Sequence, residues 1–135
     1  MSAHESFAEF LKRRVRASED YISGSAETML GMNTMSDPAT FFQANGRVIE
    51  GAERINQAVW QSARNFGPGG RVIRLEVLQS GSDVEMGFWN GIVHAEMSVK
   101  GQDALVATRL RVTEVFRRNE VGWKLIHRHA DEMKG

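Results

Sequence analysis

The second half of the sequence consists of four long β-prone segments joined by very short polar turns. We predict strands over residues 71 to 79, 84 to 99, 104 to 118 and 123 to 130. The turns between them are Ser80-Gly81-Ser82-Asp83, Lys100-Gly101-Gln102-Asp103 and Asn119-Glu120-Val121-Gly122. Because a crossover to a parallel neighbour needs a much longer connection, these strands must be antiparallel neighbours. This constraint predicts a continuous antiparallel sheet.

The first half of the chain is predicted to be mainly helical. Ser2 and Glu5 have the spacing of a capping box, and apolar residues then recur at helical intervals to about residue 20. Shorter helices are predicted around Met29 and over residues 52 to 66, with a β-hairpin turning at Asn45-Gly46 between them. Helices first and a meander last predict an α+β fold, in which three N-terminal helices pack on a curved antiparallel sheet.

Composition and charge exclude several classes of function. The 17 basic and 17 acidic side chains cancel, which weighs against nucleic acid or an anionic membrane as a partner. The absence of cysteine removes disulfides, thiolate nucleophiles and cysteine zinc sites. The chain has no secretory signal and no apolar run long enough to span a bilayer. We therefore expect a cytoplasmic protein, with one domain over residues 1–135.

The alternation of residue types predicts the register of the last hairpin. Val112 and Phe116 share one side of their strand, as Trp123 and Leu125 do on the next, so these sides face the helices. A four-residue turn then places Phe116 opposite Leu125. The same register places Glu114 opposite His127 and Val112 opposite His129.

This register directs four ionisable side chains inward, namely Glu114, His127, His129 and Asp131. Burial of such groups is costly without partners, so the pattern favours a shallow cavity. In this register the Glu114 carboxylate orients the His127 imidazole and raises its pKa. Two residues arranged in this way are typical of an acid/base pair. The alternative is a structural hydrogen bond between them with no catalytic role.

Other chemistries find less support in the sequence. The spacing of His127 and His129 occurs in some metal sites, but there is no clear third ligand. The chain has no Gly-x-Ser-x-Gly motif for nucleophilic catalysis. We therefore predict no metal and no cofactor.

The outer side of the predicted sheet has mixed charge. It is expected to carry His94 and four arginines, with Glu76 and Glu96 as counter-charges; the arginines are Arg109, Arg111, Arg117 and Arg128. Such a surface, with apolar Val115 and Ile126, suits a self-complementary contact between two subunits. We expect a homodimer through this face.

Two segments carry a resemblance to a known family. Residues 110–118 and 122–131 resemble the closing hairpin of the nuclear transport factor 2-like superfamily, in particular its small SnoaL-like members. Residues 37–42 and 45–51 are similar to the first hairpin of these proteins, and both stretches are similar to the association domain of calcium/calmodulin-dependent protein kinase II. The resemblance implies a cone-shaped α+β barrel, a pocket against the concave face of the sheet and a homodimer. It does not imply one function.

The resemblance also suggests roles for individual residues. Against the last hairpin of ketosteroid isomerase, Glu114 falls on a carboxylic acid that holds the oxyanion, while His127, His129 and Asp131 fall on the pocket wall. The general-base position of that enzyme falls on Phe42 or Gln43, neither of which abstracts a proton. Classical steroid isomerisation is therefore not expected.

The leading interpretation is a pocket for a small, partly apolar molecule. Its predicted floor consists of Phe42, Trp89, Val112 and Leu125, and its polar end of Glu114 and His127 with His129 and Asp131. If the protein is an enzyme, we expect isomerisation, cyclisation or dehydration with His127 as base. The alternative is a non-catalytic ligand-binding or assembly module.

Overall fold

The computed structural model describes residues 5–134, and its first element is the helix α1 (Phe7–Ile22). Ser6 and Glu9 form a capping box, in which each side chain accepts a hydrogen bond from the backbone N–H of the other. This pair takes the place of the predicted one, of which Ser2 lies outside the described residues. The buried face of α1 consists of Phe7, Phe10, Arg14, Ala17 and Ile22.

Two further helices and a short hairpin follow α1. They are α2 (Glu27–Met32), β1 (Thr40–Phe42), β2 (Val48–Glu50) and α3 (Ala52–Ala63). The order of these elements along the chain is as predicted. Since α3 follows the hairpin, only α1 and α2 precede the first strand. The helix ends before the predicted residue 66 because Phe66 already forms a β-bridge with Val99. No helix within residues 5–134 has the length and apolar character needed to cross a membrane.

In the part of the chain that the structure describes, the sheet contains six strands and is open. The long strands are β3 (Arg71–Ser82), β4 (Met86–Ser98), β5 (Leu105–Arg118) and β6 (Trp123–Glu132). They form the predicted antiparallel meander, while β1 pairs in parallel with β6 to give the order β2-β1-β6-β5-β4-β3. Since β2 and β3 are edges, the described strands do not close the barrel that the resemblance implied.

Aromatic packing fixes α1 on the sheet face that looks towards the helices, which we call the inner face. The Phe10 and Phe116 ring centroids lie 5.0 Å apart, and those of Phe7 and Trp123 lie 5.1 Å apart. All four side chains are buried. Edge-to-face contacts of this kind add to the free energy of burying the rings. They hold the helix across one end of β5 and β6.

The register of the last hairpin departs from the prediction at one position. Phe116 lies opposite Leu125 as expected, but Val115 then lies opposite His127 and Glu114 opposite Arg128. Ile126 is the extra residue of a β-bulge, which alternation alone does not reveal. A β-bulge places two residues of one strand opposite a single residue of the neighbouring strand. Every β6 side chain beyond Ile126 therefore points to the opposite face from the one predicted.

The bulge completes a buried ionic network around Glu114, which is 1% exposed. The Arg14 Nε and Nη2 atoms donate to the two Glu114 carboxylate oxygens at 3.1 and 2.7 Å. Trp89 Nε1 donates to Oε1 at 2.9 Å, and Arg128 Nη1 donates to Oε2 at 2.9 Å. Burial raises the pKa of the Glu114 carboxyl, but Arg14 and Arg128 outweigh it and lower the pKa to about 2.

Replacing Glu114 by Gln removes the charge that compensates Arg14. We expect the free energy of unfolding at neutral pH to fall by about 3 to 5 kcal/mol, because a buried guanidinium is left without its partner. The folded-state pKa lies below the ordinary value of 4.5. The stabilisation by Glu114 is therefore fully present above that ordinary value and is lost as the pH falls towards about 2. Urea unfolding over this range should show the two proteins converging in acid.

Glu120→Gln provides the matched control, since Glu120 is exposed in the turn between β5 and β6. The control should unfold within about 0.5 kcal/mol of the unmodified protein, as is usual for surface substitutions. Equal stabilities of the Glu114 and Glu120 variants would contradict the role assigned to the network.

Candidate functional site

A cavity of about 290 Å³ lies between the helices and the inner face of the sheet. Its walls are largely apolar, and they include Phe66, Val72, Leu75, Val93, Met97 and Leu110. Arg14, Tyr21, Glu114 and Arg128 also line it. An apolar cavity with a few converging polar groups is typical of a small-molecule site.

A smaller cavity of about 170 Å³ adjoins the first. Tyr21, Met29, Ala44 and Arg128 line both cavities, so they form the junction between them. Burial raises the pKa of the Tyr21 hydroxyl, against the opposing effects of a hydrogen bond with Ser62 and the charge of Arg128. Tyr21 is therefore a neutral hydroxyl at physiological pH.

Glu114 and His127 do not form the predicted pair, because the register predicted for β5 and β6 is wrong at this position. The bulge at Ile126 places Arg128, rather than His127, beside Glu114. His127 lies on the outer face of β6, opposite Val115. The inward orientation predicted for His127 is therefore wrong, and the geometry gives no support to its use as a base oriented by Glu114.

The surroundings of His127 also reverse the expected direction of its pKa shift. Its Nδ1 lies 2.7 Å from the hydroxyl of Thr40 on β1, and its ring meets Phe42 edge-on at a centroid distance of 4.8 Å. Burial lowers the pKa of His127, hydrogen bonding to Thr40 opposes this, and the nearby His129 lowers it further. Glu114 does not contact the ring, and the pKa of His127 is therefore lowered, whereas the predicted pair would raise it.

His129 and Asp131 also lie on the outer face, outside the cavity. Both line an outer groove with Asn90, and Asp131 accepts two hydrogen bonds of 2.6 Å from Arg111. The prediction that these two side chains point inward is wrong for the same reason as for His127. Arg128, which we expected on the outer face, points inward.

The four residues predicted for the pocket floor fall in three different places. Trp89 and Val112 line the larger cavity, as predicted. Leu125 is buried in the core without lining it. Phe42 is 41% exposed and lines only the smaller of the two adjoining cavities. The neighbouring Phe41 packs on the core in its stead, because alternation along β1 turns it inward.

Arg14 and Tyr21 of α1 were missed by the sequence analysis. Arg14 follows Phe10 by four residues and Phe7 by seven, which places a charged side chain on the apolar face of the helix. That irregularity was a usable signal. It indicates a buried partner, and Glu114 is the inward-facing acid that meets it.

The Glu114 carboxylate is fully engaged by its neighbours at the polar end of the cavity. Glu114 accepts four hydrogen bonds, which use all the acceptor positions of a carboxylate. No histidine is found among the described residues that line the cavity. Nor do residues 5–134 contain three His, Asp or Glu side chains grouped to hold a metal ion.

Solved structures share this fold. The chain is similar to a provisionally assigned dehydratase of the NTF2-like family from Streptomyces avermitilis, with a TM-score of 0.78, 17% identity and coverage of 95% of this chain and 96% of that one. It is also similar to a ketosteroid isomerase-like protein from Erwinia carotovora atroseptica, with a TM-score of 0.73, 8% identity and coverage of 98% and 99%.

A third similar structure is a provisionally assigned calcium/calmodulin-dependent protein kinase type II association domain from Thiobacillus denitrificans. Its TM-score is 0.72 at 15% identity, with 96% of each chain covered. At these identities the three structures show the fold alone. No curated protein matches the sequence.

The family model of the SnoaL-like domain matches residues 15–131, which is most of the sequence. This match includes both hairpins that carry the resemblance and three residues of the ionic network, Trp89, Glu114 and Arg128, while Arg14 lies one residue before it. The chain therefore belongs to the SnoaL-like domain family of the nuclear transport factor 2-like superfamily.

Proposed function

We propose that the protein binds a small, largely apolar molecule in the cavity between its helices and its sheet. The observation that carries this proposal is the cavity itself, whose apolar walls converge on a fixed polar end. At about 30 Å³ for each water-sized group, a volume of this size has room for about ten non-hydrogen atoms. The molecule is therefore the size of a substituted benzene ring or a short aliphatic chain.

We do not extend the proposal to acid/base turnover. A general base needs a free lone pair near the reacting proton. Glu114 has each of its acceptor positions occupied, and its pKa of about 2 is far from neutral. Among the two readings of the sequence, these contacts favour the non-catalytic binding module.

Toluene has no charged or polar group, so its binding tests whether the apolar cavity alone accepts a small molecule. Millimolar toluene should shift the methyl resonances of Val93, Leu110 and Val112 in a saturable manner in carbon-proton NMR spectra. Val112→Phe should weaken this binding at least about tenfold, or about 1.4 kcal/mol, because the added ring occupies the cavity. Leu110→Phe serves as a second filling variant if Val112→Phe does not fold.

Val48→Phe is the matched control, since Val48 lies on β2 with 60% of its surface exposed. The control should bind toluene as the unmodified protein does. The proposal would be wrong if toluene caused no saturable shifts of the cavity resonances. It would also be wrong if Val112→Phe and Val48→Phe bound toluene with the same affinity.

We also propose that two copies of the chain pair through the outer face of the sheet. Phe88 lies opposite Val115 there, and Ile92 lies on the same face of β4 four residues further along the strand. The Phe88 side chain is 37% exposed. The ion pair of Arg111 with Asp131 and the hydrogen bond between His94 and Glu76 flank them. An apolar centre with a polar rim is typical of a subunit contact.

A charge in the apolar centre should prevent this pairing. Sedimentation at micromolar concentration is expected to give twice the mass of one chain, and Ile92→Glu should give a single chain because a glutamate is costly to bury. Val48→Glu, which makes a comparable change on exposed β2, should remain dimeric. A monomeric unmodified protein would overturn the proposal.

A further inference from the structure

Arg128 stands at the junction of the two cavities with much of its hydrogen-bonding capacity unused. Its side chain is 21% exposed, so it is reachable from the cavity space, in contrast to the sealed Arg14 at 2%. Within the described residues, the structure gives it one hydrogen bond, from Nη1 to Glu114 Oε2. A guanidinium carries five N–H donors in a planar fork. The remaining donors are available to a bound molecule.

The charges at this end of the cavity do not cancel. Arg14 and Arg128 contribute two positive charges, and Glu114 contributes one negative charge. Glu114 Oε2 is shared between both guanidinium groups, and the buried Arg14 Nη1 has no acceptor within residues 5–134. Burial of an unbalanced charge is unfavourable. These three side chains therefore carry a net charge of +1, which suits an anionic group on a ligand.

Glu132 does not supply such an anionic group to Arg128. It lines the larger cavity, but it is exposed and lies four residues beyond Arg128 on β6. At about 3.3 Å per residue along a strand, the two Cα atoms are about 13 Å apart. Among the described residues, no hydrogen bond or ion pair links the Glu132 carboxylate to Arg128.

We propose that the ligand of the cavity is a monocarboxylate, whose carboxylate pairs with the Arg128 guanidinium while its apolar body fills the larger cavity. This inference rests on the proposed function. The planar fork of arginine matches the two oxygens of a carboxylate. The neutral Tyr21 hydroxyl at the same junction adds a polar neighbour without adding charge. One negative charge on the ligand balances the site.

Two probes of nearly the same shape test the charge of the ligand, 4-methylbenzoate and 4-methylbenzamide. Calorimetric titration at neutral pH should show the carboxylate binding at least about tenfold more tightly than the amide, a difference of about 1.4 kcal/mol. Arg128→Met should remove this preference, so that the carboxylate and the amide bind with equal affinity. Arg128→Lys should retain part of it, because the lysine keeps the charge but not the fork.

Arg64→Met is the matched control, since Arg64 is exposed at the end of α3 and lines neither cavity. It should keep the full preference for the carboxylate. If the unmodified protein binds the two probes equally, the carboxylate inference is overturned while the proposed function stands. If neither probe binds and toluene does not bind either, the proposed function is overturned as well.

Discussion

The buried carboxylate of Glu114 is the interaction on which the rest of the structure depends. It sits on β5 and accepts hydrogen bonds from α1 through Arg14, from β4 through Trp89 and from β6 through Arg128. Burial alone would favour the protonated acid, yet the two guanidinium groups hold it ionised. The helix layer and three strands are thus fixed relative to one another at a single point, which also forms the polar end of the cavity.

The bulge at Ile126 makes this network possible. Without it, β6 would present His127 to Glu114, and Arg128 would lie on the outer face. One inserted residue therefore exchanges a titratable imidazole for a permanent cation at the polar end of the cavity. The same insertion moves His127 into a small polar contact with Thr40 of β1, where the parallel pairing of β1 and β6 is formed.

The sequence was sufficient for the α+β class and the antiparallel meander, but not for the open sheet or the parallel pairing of β1 with β6, and only in part for the site. The strand lengths and short turns determined the antiparallel meander, and alternation placed Val112 on the inner face and His94 on the outer face, where the structure pairs it with Glu76. Alternation failed beyond Leu125, because it assumes unbroken pairing and a bulge leaves little trace in residue type. The adjacent apolar pair Leu125-Ile126 was the available sign. Long-range pairing, such as that of Arg14 with Glu114, was not accessible from local patterns.

The electrostatics of the cavity change little with pH near neutrality, and this bears on what the cavity does. The carboxyl of Glu114 titrates near pH 2, the pKa of Tyr21 is raised, and the arginines remain charged. A site for general acid/base catalysis needs a group that exchanges a proton near the working pH. A site that recognises a ligand by charge and shape benefits from the opposite property, a fixed charge distribution. The residues at the polar end have that property, since each ionised side chain is held by another.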